Sequence, residues 1–401
     1  MSTATGVNGR AELDIDPFSV DFLSNPYPFH EQLRDAGPVI WLPRYGVWAM
    51  ARHAEVHAVL SDWQTFSSSA GVGLCHFGKE QPWRPPSLIL EADPPLHTRT
   101  RGVLLRILSR PALAQLQATF QAEADALIDK LIARGSFDAV TELAEPYPLK
   151  VFPDAVGLAA EGRENLLPYG NMVFNAFGPR NALFDAAMKH AEPVRAWIMA
   201  QCRREALRPD GFGAQVYGYV DKGELNEDEA GLLVRSMLSA GLDTTVYALG
   251  NAIHCFANFP EQWELLRNDL SLARAAFEEV IRYASPVQTF FRTTTKAVDL
   301  AGVHIGASEK VLLFLGAANR DPRKWDKPDV FDASRVTTGH VGFGHGIHAC
   351  IGQMISRLEN EVLLTELAKR KIDFELVGEP RRKVHNTLRG FNHLPLRFSQ
   401  S

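Results

Sequence analysis

The stretch that decides the fold is Phe343-Gly-His-Gly-Ile-His-Ala-Cys350-Ile-Gly352, near the carboxyl end of the 401-residue chain. One cysteine stands between Gly346 and Gly352, directly before an apolar run with helical spacing at 351–367. Glycine lets the backbone turn sharply and approach a flat ligand closely, and successive N–H groups can then point at the sulfur. The stretch therefore predicts a loop that presents one thiol in front of a helix.

The thiol of Cys350 has two interpretations. A free cysteine is most often a buried residue that serves packing alone. A thiolate in a glycine-framed loop can instead be the axial ligand of a haem iron, to which it donates electron density that favours O–O cleavage. The glycine spacing favours the second interpretation. The loop resembles the cysteine-ligand loop of the cytochromes P450, and this resemblance implies that Phe343, Gly346 and Cys350 bind haem b.

The composition describes an ordinary globular protein. Hydrophobic residues make up 46% of the chain and charged residues 22%, and the formal net charge of −5 argues against a general affinity for nucleic acid. The four cysteines are scattered and form no CxxC pair, which argues against a disulfide framework or a zinc site and favours a reduced, cytoplasmic setting. Without linkers or repeats, we expect a single domain spanning 1–401, with a flexible segment at 1–16.

The chain carries no recognisable membrane anchor. Its first 16 residues are polar and small, and no apolar run reaches the roughly 18 residues that a membrane span requires. We therefore expect a protein that does not bind membranes and works as a monomer.

Hydrophobic spacing and turn residues predict a mainly α fold with small peripheral β-sheets. The predicted helices lie at 53–62, 111–135, 166–177, 182–207 and 226–258. The predicted strands lie at 39–42, 47–51, 287–294 and 311–315. A stretch rich in Ser, Gly and Pro, 63–95, is interpreted as a loop that covers the substrate.

The longest predicted helix contains Ala240-Gly241-Leu242-Asp243-Thr244-Thr245. Gly and Thr are poor residues for a helix interior, and a Thr hydroxyl can bond to the carbonyl four residues back and open the helix there. The plain alternative is one weak turn in a core. The motif resembles the acid–alcohol pair of P450 monooxygenases, which implies that Asp243 relays protons and Thr244 directs them to bound oxygen.

A carboxylate and a guanidinium, Glu279 and Arg282, lie three residues apart on one predicted helix face. On a surface such a pair contributes only a few tenths of a kcal/mol. In P450s an ExxR pair is instead buried and bonded to an arginine from the segment before the cysteine loop. Arg335 matches that arginine by position, although Asp332 stands where the family commonly has proline.

Four cationic or hydrogen-bonding side chains resemble the P450 residues that hold the haem propionates. His97 and Arg101 match the family's HxxxR pattern, Arg292 follows the ExxR helix in a predicted strand, and His348 lies two residues before the cysteine. Any one of them alone would more often be an ordinary solvated residue.

A narrower resemblance is to soluble bacterial P450s that oxidise para-substituted benzoates, including O-demethylation of 4-methoxybenzoate. The stretches that carry it are Trp83-Arg-Pro-Pro-Ser87 to Leu90, Met172 to Phe177, Arg235 to Ser239, and Gln288 to Thr293.

This resemblance implies a pocket for a flat aromatic acid. Two rings at helical spacing can flank such a substrate, and an arginine with hydroxyl groups can bind its carboxylate. The aromatic and apolar wall is expected from Leu90, Val173, Phe174, Phe177 and Phe290. The carboxylate end is expected from Arg84, Ser87, Arg235, Ser236 and Ser239. The plain alternative is that the rings are core residues and the arginine is a solvated loop cation.

The reaction implied is oxidative O-demethylation or hydroxylation of the para substituent, with O2 as co-substrate. Electrons are expected from NAD(P)H through a ferredoxin reductase and a [2Fe-2S] ferredoxin. Arg101, Arg110 and Arg357 are candidate ferredoxin-docking residues on the cysteine side of the haem.

Three alternatives remain open. A haem-thiolate peroxygenase or isomerase would need no external electrons, and a haem sensor would perform no turnover, but neither needs an acid–alcohol pair. A P450 that oxidises a terpenoid or a fatty acid keeps the chemistry and changes the substrate.

Overall fold

The computed structural model describes residues 11–400, and about half of them lie in helices. The helices in this part of the chain are α1 (Val20–Ser24), α2 (Tyr27–Ala36), α3 (His53–Ser61), α4 (Leu96–Ile107), α5 (Arg110–Ala114), α6 (Gln117–Arg134), α7 (Pro146–Val156), α8 (Leu166–Asn175), α9 (Ala182–Met188), α10 (Ala191–Gln201), α11 (Phe212–Asp221), α12 (Glu227–Ala240), α13 (Asp243–Asn258), α14 (Pro260–Asn268), α15 (Ala273–Ala284), α16 (Leu315–Ala318) and α17 (Gln353–Lys369).

Four small sheets accompany the helices, so the predicted mainly α class is confirmed. The strands are β1 (Ala11–Glu12), β2 (Ile40–Leu42), β3 (Val47–Met50), β4 (Phe66–Ser67), β5 (Ser136–Asp138), β6 (Thr289–Thr294), β7 (Val298–Leu300), β8 (Val303–Ile305), β9 (Lys310–Phe314), β10 (Ile372–Leu376), β11 (Arg381–Lys383), β12 (Gly390–His393) and β13 (Pro395–Gln400). The largest sheet has the order β1-β2-β3-β9-β6-β4, and the others are β10-β13-β5, β11-β12 and β7-β8.

The predicted hairpin is confirmed as β2 and β3, which pair antiparallel around a turn at Gly46 with φ +59°. The predicted strands at 287–294 and 311–315 correspond to β6 and β9, which also pair with each other. The loop prediction for 63–95 holds as well, because apart from the two residues of β4 this stretch forms no helix or strand.

Two of the predicted helices are each divided in the structure. The helix expected at 111–135 is α5 and α6, separated by a tight turn in which the Leu116 N–H donates to the Leu113 carbonyl. The helix expected at 182–207 is α9 and α10, followed by a short 3₁₀ turn. Pro193 lies in the first turn of α10 and has no N–H to continue a helix from α9.

The flexible segment expected at 1–16 is wrong for residues 11–16. Ala11 and Glu12 pair in parallel with Ile40 and Trp41, which places β1 at the edge of the largest sheet. Asp16 is also fixed by hydrogen bonds. Its carboxylate accepts from the backbone N–H of Phe18 and from the hydroxyl of Tyr45 in the β2–β3 hairpin. Residues 1–10 of that prediction lie outside the described residues.

The long helix predicted at 226–258 consists of α12 and α13. Its start is confirmed, since Asn226 and Glu229 form a reciprocal capping box. The break falls at Gly241 and Leu242, and the Thr244 hydroxyl donates to the Ala240 carbonyl at 3.2 Å. The hydroxyl thus bonds to a backbone carbonyl of the helix at the predicted position. The prediction was a local opening within one helix, whereas in the structure one helix ends there and another begins.

Buried charges join α15 to the segment that precedes the cysteine loop. Glu279 and Arg282 are fully buried and form a two-pronged ion pair, with both N–O distances at 2.7 Å. Arg335 donates to the same Glu279 carboxylate at 3.2 Å. The Asp332 N–H donates to it as well, at 3.1 Å, and proline at this position could not make that bond.

The same network continues towards the cysteine. Arg282 donates to the backbone carbonyl of Asn319 at 2.9 Å, and the Asn319 side chain accepts from the backbone N–H of Val341 at 2.8 Å. Val341 lies two residues before Phe343, where the cysteine loop begins. A helix, a connecting turn and the start of the loop are therefore fixed to one another by buried hydrogen bonds.

Removal of the shared carboxylate is expected to destabilise the whole chain. In Glu279→Gln the buried guanidinium of Arg282 and the partly buried one of Arg335 lose their anionic partner. We expect the free energy of unfolding to fall by about 3–5 kcal/mol, the range for breaking a buried pair. Chemical denaturation measures the change. Glu375→Gln is the matched control, because Glu375 and Arg397 form an ion pair that is about half exposed. Equal stability of the two variants would contradict the role of this network.

Candidate active site

The cysteine loop has the geometry that its glycines predict. The Cys350 N–H donates to the Phe343 carbonyl at 2.7 Å, which closes the loop. Gly346 has φ +68°, and a side chain there would overlap the backbone oxygen of Leu60 in α3. The loop thus lies directly on α3, and only glycine fits at the contact.

The sulfur of Cys350 is surrounded by hydrogen-bond donors and cations. Backbone N–H groups of Gly352 and Gln353 point at it, and Arg101 and Arg357 lie nearby. Cys350 is exposed, yet the many protein atoms around the sulfur desolvate it and raise the pKa of the thiol, while these donors and cations act in the opposite direction. A bound metal ion would deprotonate the thiol outright.

Asp243 and Thr244 begin α13 at the interruption of the long helix. Asp243 is buried, and burial raises the pKa of its carboxyl to about 7, against the opposing charge of Lys383. A side chain at Gly170 in α8 would overlap the Asp243 carboxylate, so this glycine makes room for it. Sequence reasoning missed Gly170, because a glycine within a helix has no local pattern that names its distant neighbour.

Three phenylalanines expected in the pocket form a continuous aromatic wall. The Phe174 and Phe177 rings pack edge to face with their centroids 5.6 Å apart. The centroid of the Phe177 ring lies 5.7 Å from that of Phe290 in β6. Phe174 and Phe177 are buried, as is Val173, whereas Phe290 and Leu90 are partly buried against the same core. Rings from α8, the residues just after it and β6 therefore come together as the sequence led us to expect.

The expected serines lie at the contact between the 63–95 loop and α12. The Ser87 and Ser236 hydroxyl oxygens are 3.1 Å apart. Ser239 lies one turn further along α12 and donates to the Ser236 carbonyl. The Ser87 hydroxyl also accepts from the backbone N–H groups of Ile89 and Leu90 and so caps the turn that carries them.

Arg84 is not the freely available loop cation that the sequence suggested. It is buried, and two of its nitrogens donate to the Glu91 carboxylate at 2.9 and 3.2 Å. Glu91 accepts in addition from the Ser87 backbone N–H at 2.7 Å. Glu91 was missed in the sequence, because spacing within an irregular loop does not reveal which side chains meet.

Arg235 has no carboxylate partner among the described residues. It is 2% exposed, and one nitrogen donates to the backbone carbonyls of Pro85 and Pro86 at 2.8 and 3.1 Å. Its Nη1 has no hydrogen-bond partner among the described residues. Burial lowers the pKa of Arg235, and the neighbouring charge of Arg84 adds to that effect. With two arginines and the single carboxylate of Glu91, this buried cluster carries one uncompensated positive charge.

The four residues that were expected to bind the haem propionates lie close to one another beside the cysteine loop. The His97 and His348 rings lie 4.5 Å apart, and Arg101 donates to the Ala349 carbonyl. Arg292 is buried with only the Phe291 carbonyl as a hydrogen-bond acceptor among the described residues, and burial lowers its pKa to about 10. Asp93, which sequence reasoning missed, faces the His348 ring at 3.5 Å.

Comparison with known proteins decides the family. The family model for cytochrome P450 matches residues 214–394. Cytochrome P450 CYP199A2 of Rhodopseudomonas palustris is 56% identical over 392 residues, which cover 98% of this chain and 95% of that protein. The chain belongs to the cytochrome P450 family.

Other P450s match at greater distance. Erythromycin C-12 hydroxylase of Saccharopolyspora erythraea is 33% identical over 91% of this chain and 92% of its own length. Among solved structures, CYP109Q5 from Chondromyces apiculatus superposes with a TM-score of 0.81 at 32% identity, covering 97% of this chain and 99% of that one. These matches confirm the predicted P450 fold, and the chain is a P450 monooxygenase.

Membership implies a haem and O2 as co-substrate, and the residues present fit a haem. Arg292 is a buried guanidinium with no ion pair, and His97 Nε2 is a buried ring nitrogen without a hydrogen-bond partner among the described residues. Two propionate groups would supply the acceptors that this cluster lacks. The backbone N–H groups and the arginines around Cys350 suit a thiolate ligand of the haem iron. Within residues 11–400, no helix is long and apolar enough to cross a membrane.

Proposed function

We propose that this P450 oxidises the para substituent of a small aromatic carboxylic acid, with 4-methoxybenzoate as the representative substrate and O-demethylation or hydroxylation as the reaction. The single observation that carries the proposal is the uncompensated buried charge of Arg235 beside the hydroxyl pair of Ser87 and Ser236. The narrower resemblance to benzoate-oxidising P450s supports the same substrate class.

A buried cation of this kind favours an anionic ligand. An isolated charge in a protein interior is costly, and a ligand carboxylate that accepts from Arg235 Nη1 would offset that cost through a charge-assisted hydrogen bond. Glu91 does not fill this role in the structure, because its oxygens accept from Arg84 and from the Ser87 N–H. No hydrogen bond joins it to Arg235 among the described residues. When Ser236 donates to Ser87, the Ser87 hydroxyl can supply one further donor at the same place.

The aromatic wall complements the charged end. A flat ring held against Phe174, Phe177 and Phe290 gains apolar burial and edge-to-face contacts. With the carboxylate fixed at one end and the ring held between, the para substituent is the part of the ligand that remains to face the iron. Positioning of this kind supplies a large share of catalysis.

The alternatives fit these residues less well. A terpenoid carries no carboxylate to match Arg235, and a fatty acid has a carboxylate but no ring for the three phenylalanines. A peroxygenase or a haem sensor has no need for the pair of Asp243 and Thr244.

Binding should depend on Arg235. In Arg235→Gln the donor and its charge are lost, so the dissociation constant of 4-methoxybenzoate is expected to rise by roughly 10- to 100-fold, the usual effect of losing a hydrogen bond to a charged group. The low-to-high spin shift in the absorption spectrum of the holoenzyme measures binding. The exposed Arg203 has no ion pair in the described part of the chain, and Arg203→Gln is the matched control.

The neutral ester completes this experiment. Methyl 4-methoxybenzoate has the same ring and para group, and it should bind weakly to the unaltered protein and equally weakly to Arg235→Gln. If acid and ester bound with equal affinity, or if the acid produced no spin shift, the aromatic-acid site would be wrong, while the family assignment would stand.

We propose that Cys350 is the iron ligand, that Phe343, Gly346, His97, Arg101, Arg292 and His348 hold the haem, and that Asp243 and Thr244 deliver protons. The haem, when bound, supplies oxygen activation. Asp243 can hold a proton near neutral pH because burial raises its pKa to about 7. Thr244 lies next along the chain with its hydroxyl tied to the Ala240 carbonyl, so it can pass a proton on at the helix interruption.

Proton delivery should fail without the acid. Asp243→Asn is expected to slow turnover by roughly 10²-fold, as for loss of a general acid. In the unaltered protein turnover should decline as pH rises through about 7, because the proton to be delivered leaves Asp243 there. The rate of the Asn variant should show no such step in a pH profile.

A second variant separates proton delivery from structural damage. Lys383 lowers the pKa of Asp243, so Lys383→Met should move the step in the profile to higher pH while keeping turnover substantial. An unchanged profile in both variants would exclude Asp243 as the proton source.

We further propose that a [2Fe-2S] ferredoxin and its NAD(P)H-dependent reductase supply electrons. Of the three candidate docking residues, Arg101 bonds to Ala349 and Arg357 pairs with Glu278, whereas Arg110 is exposed and has no ion pair among the described residues. Arg110 borders a groove of about 590 Å³ between α5, α6 and α17. Of these helices, α17 is the one that follows Cys350. An acidic ferredoxin fits the positively charged edge of this groove.

We propose in addition that the protein is a cytoplasmic monomer. The four cysteines are free, which suits the reducing conditions of the cytoplasm.

A further inference from the structure

A second cavity lies on the outer side of the aromatic wall. It has a volume of about 120 Å³ and lies between the 73–84 part of the substrate-covering loop and the 176–184 segment after α8. A cavity of roughly 150 Å³ is known to hold one benzene molecule, so this space suits a single ring. Phe77, Phe177 and Phe184 contribute rings to its lining.

Phe177 is common to this cavity and to the inner pocket. Its ring contacts Phe174 and Phe290 on the inner side, and the same residue lines the outer cavity. A ligand in the outer cavity would therefore be separated from the inner pocket by one aromatic side chain.

The charges around the outer cavity favour an anion. Arg84 lines it, is 8% exposed, and has an Nε with no hydrogen-bond partner in the described part of the chain. Arg180 lines the mouth, is exposed, and forms no ion pair within the described residues. The buried Lys310 ammonium interacts electrostatically with Cys75 of the lining, and among the described residues it donates only to backbone carbonyls.

Two carboxylates oppose these three cations. Glu91 is bonded to Arg84, and Glu80 lies exposed at the rim. Burial lowers the pKa of Lys310 to about 7, so the five groups together carry between zero and one net positive charge at neutral pH. The Arg84 Nε, which has no hydrogen-bond partner among the described residues, is the donor that an anion could use.

We propose that this outer cavity is an entry subsite that holds one aromatic carboxylic acid before it reaches the inner pocket, with Arg180 at the mouth as the residue that attracts the acid. The proposal rests on the proposed function for the class of ligand. The outer cavity shares Phe177 and Arg84 with the inner site, whereas Phe77, Arg180 and Phe184 line the outer cavity and are not part of the inner site. The ring lies among Phe77, Phe177 and Phe184, and the carboxylate accepts from Arg84 Nε.

Cys75 provides a direct reporter of occupancy. It lines the outer cavity and is partly exposed, whereas Cys202 and Cys255 are buried. In the holoenzyme the iron engages Cys350, so a neutral maleimide should modify Cys75 first. Peptide mass mapping identifies the modified residue and gives the rate of its modification.

The experiment measures Cys75 modification and the spin shift in the same holoenzyme over a range of 4-methoxybenzoate concentrations. We expect the acid to slow modification of Cys75, with a midpoint at a higher concentration than that of the spin shift, since the inner site fills first. The methyl ester should protect Cys75 much less.

Arg180→Gln separates the two sites. The variant should lose most of the Cys75 protection and yet reach the full spin shift. Because an entry subsite lies on the path in both directions, association and release of the acid should each slow by roughly two- to fivefold at low ionic strength, with the dissociation constant of the inner site unchanged. Lys79→Gln is the matched control, because Lys79 lies exposed in the same loop but does not line the cavity.

The outcomes distinguish this proposal from the proposed function. A full spin shift without Cys75 protection, even well above the saturating concentration, would overturn the entry subsite alone. Protection of Cys75 that survives in Arg180→Gln would overturn it too. Arg180-dependent protection without a spin shift would support the outer subsite and overturn the inner aromatic-acid site.

Discussion

The fully buried ion pair of Glu279 and Arg282 is the interaction on which the site depends. It is satisfied on every side, because Arg335 and the Asp332 N–H complete the carboxylate and backbone carbonyls complete the guanidinium. A buried pair is weak evidence for stability when compared with apolar residues, yet it is costly to break. Here its value is positional, since α15, the Asn319 turn and the start of the cysteine loop meet at it.

A second feature of the site is a buried positive charge that has no anionic partner among the described residues. Arg84 and Glu91 neutralise each other, while Arg235 keeps one nitrogen without a partner in the described part of the chain. Most buried polar groups in proteins are paired, so this unpaired donor is the observation on which the proposed anionic ligand rests. One region of the molecule is thus fixed by complete pairing, and the other contains a buried arginine whose pairing is incomplete.

Sequence reasoning succeeded where the chemistry is local. Cys350 with its glycines, His97 with Arg101, and Glu279 with Arg282 are each close in sequence, so loop or helix geometry alone brings them together. The Ser87–Ser236 and Phe177–Phe290 contacts span distant elements, and only the family resemblance grouped them.

The failures have physical causes as well. Glu91 and Arg84 meet within an irregular loop, where spacing carries no geometric information. The helices at 111–135 and 182–207 are divided because a tight turn and Pro193 interrupt the backbone hydrogen bonds while the apolar spacing continues. The order of residues 11–16 depends on pairing with a strand about thirty residues away, which a polar composition does not reveal.

The aromatic-acid assignment is tested most directly by turnover. The purified holoenzyme, combined with a bacterial [2Fe-2S] ferredoxin, its reductase, NADH and O2, would be given 4-methoxybenzoate, and the products would be separated and quantified. The arrangement of Arg235, the serines and the phenylalanines predicts 4-hydroxybenzoate and formaldehyde in equal amounts, with NADH consumption well above the substrate-free rate. Substrate-independent NADH consumption without 4-hydroxybenzoate, in a preparation that shows the thiolate band of the reduced CO complex, would contradict it.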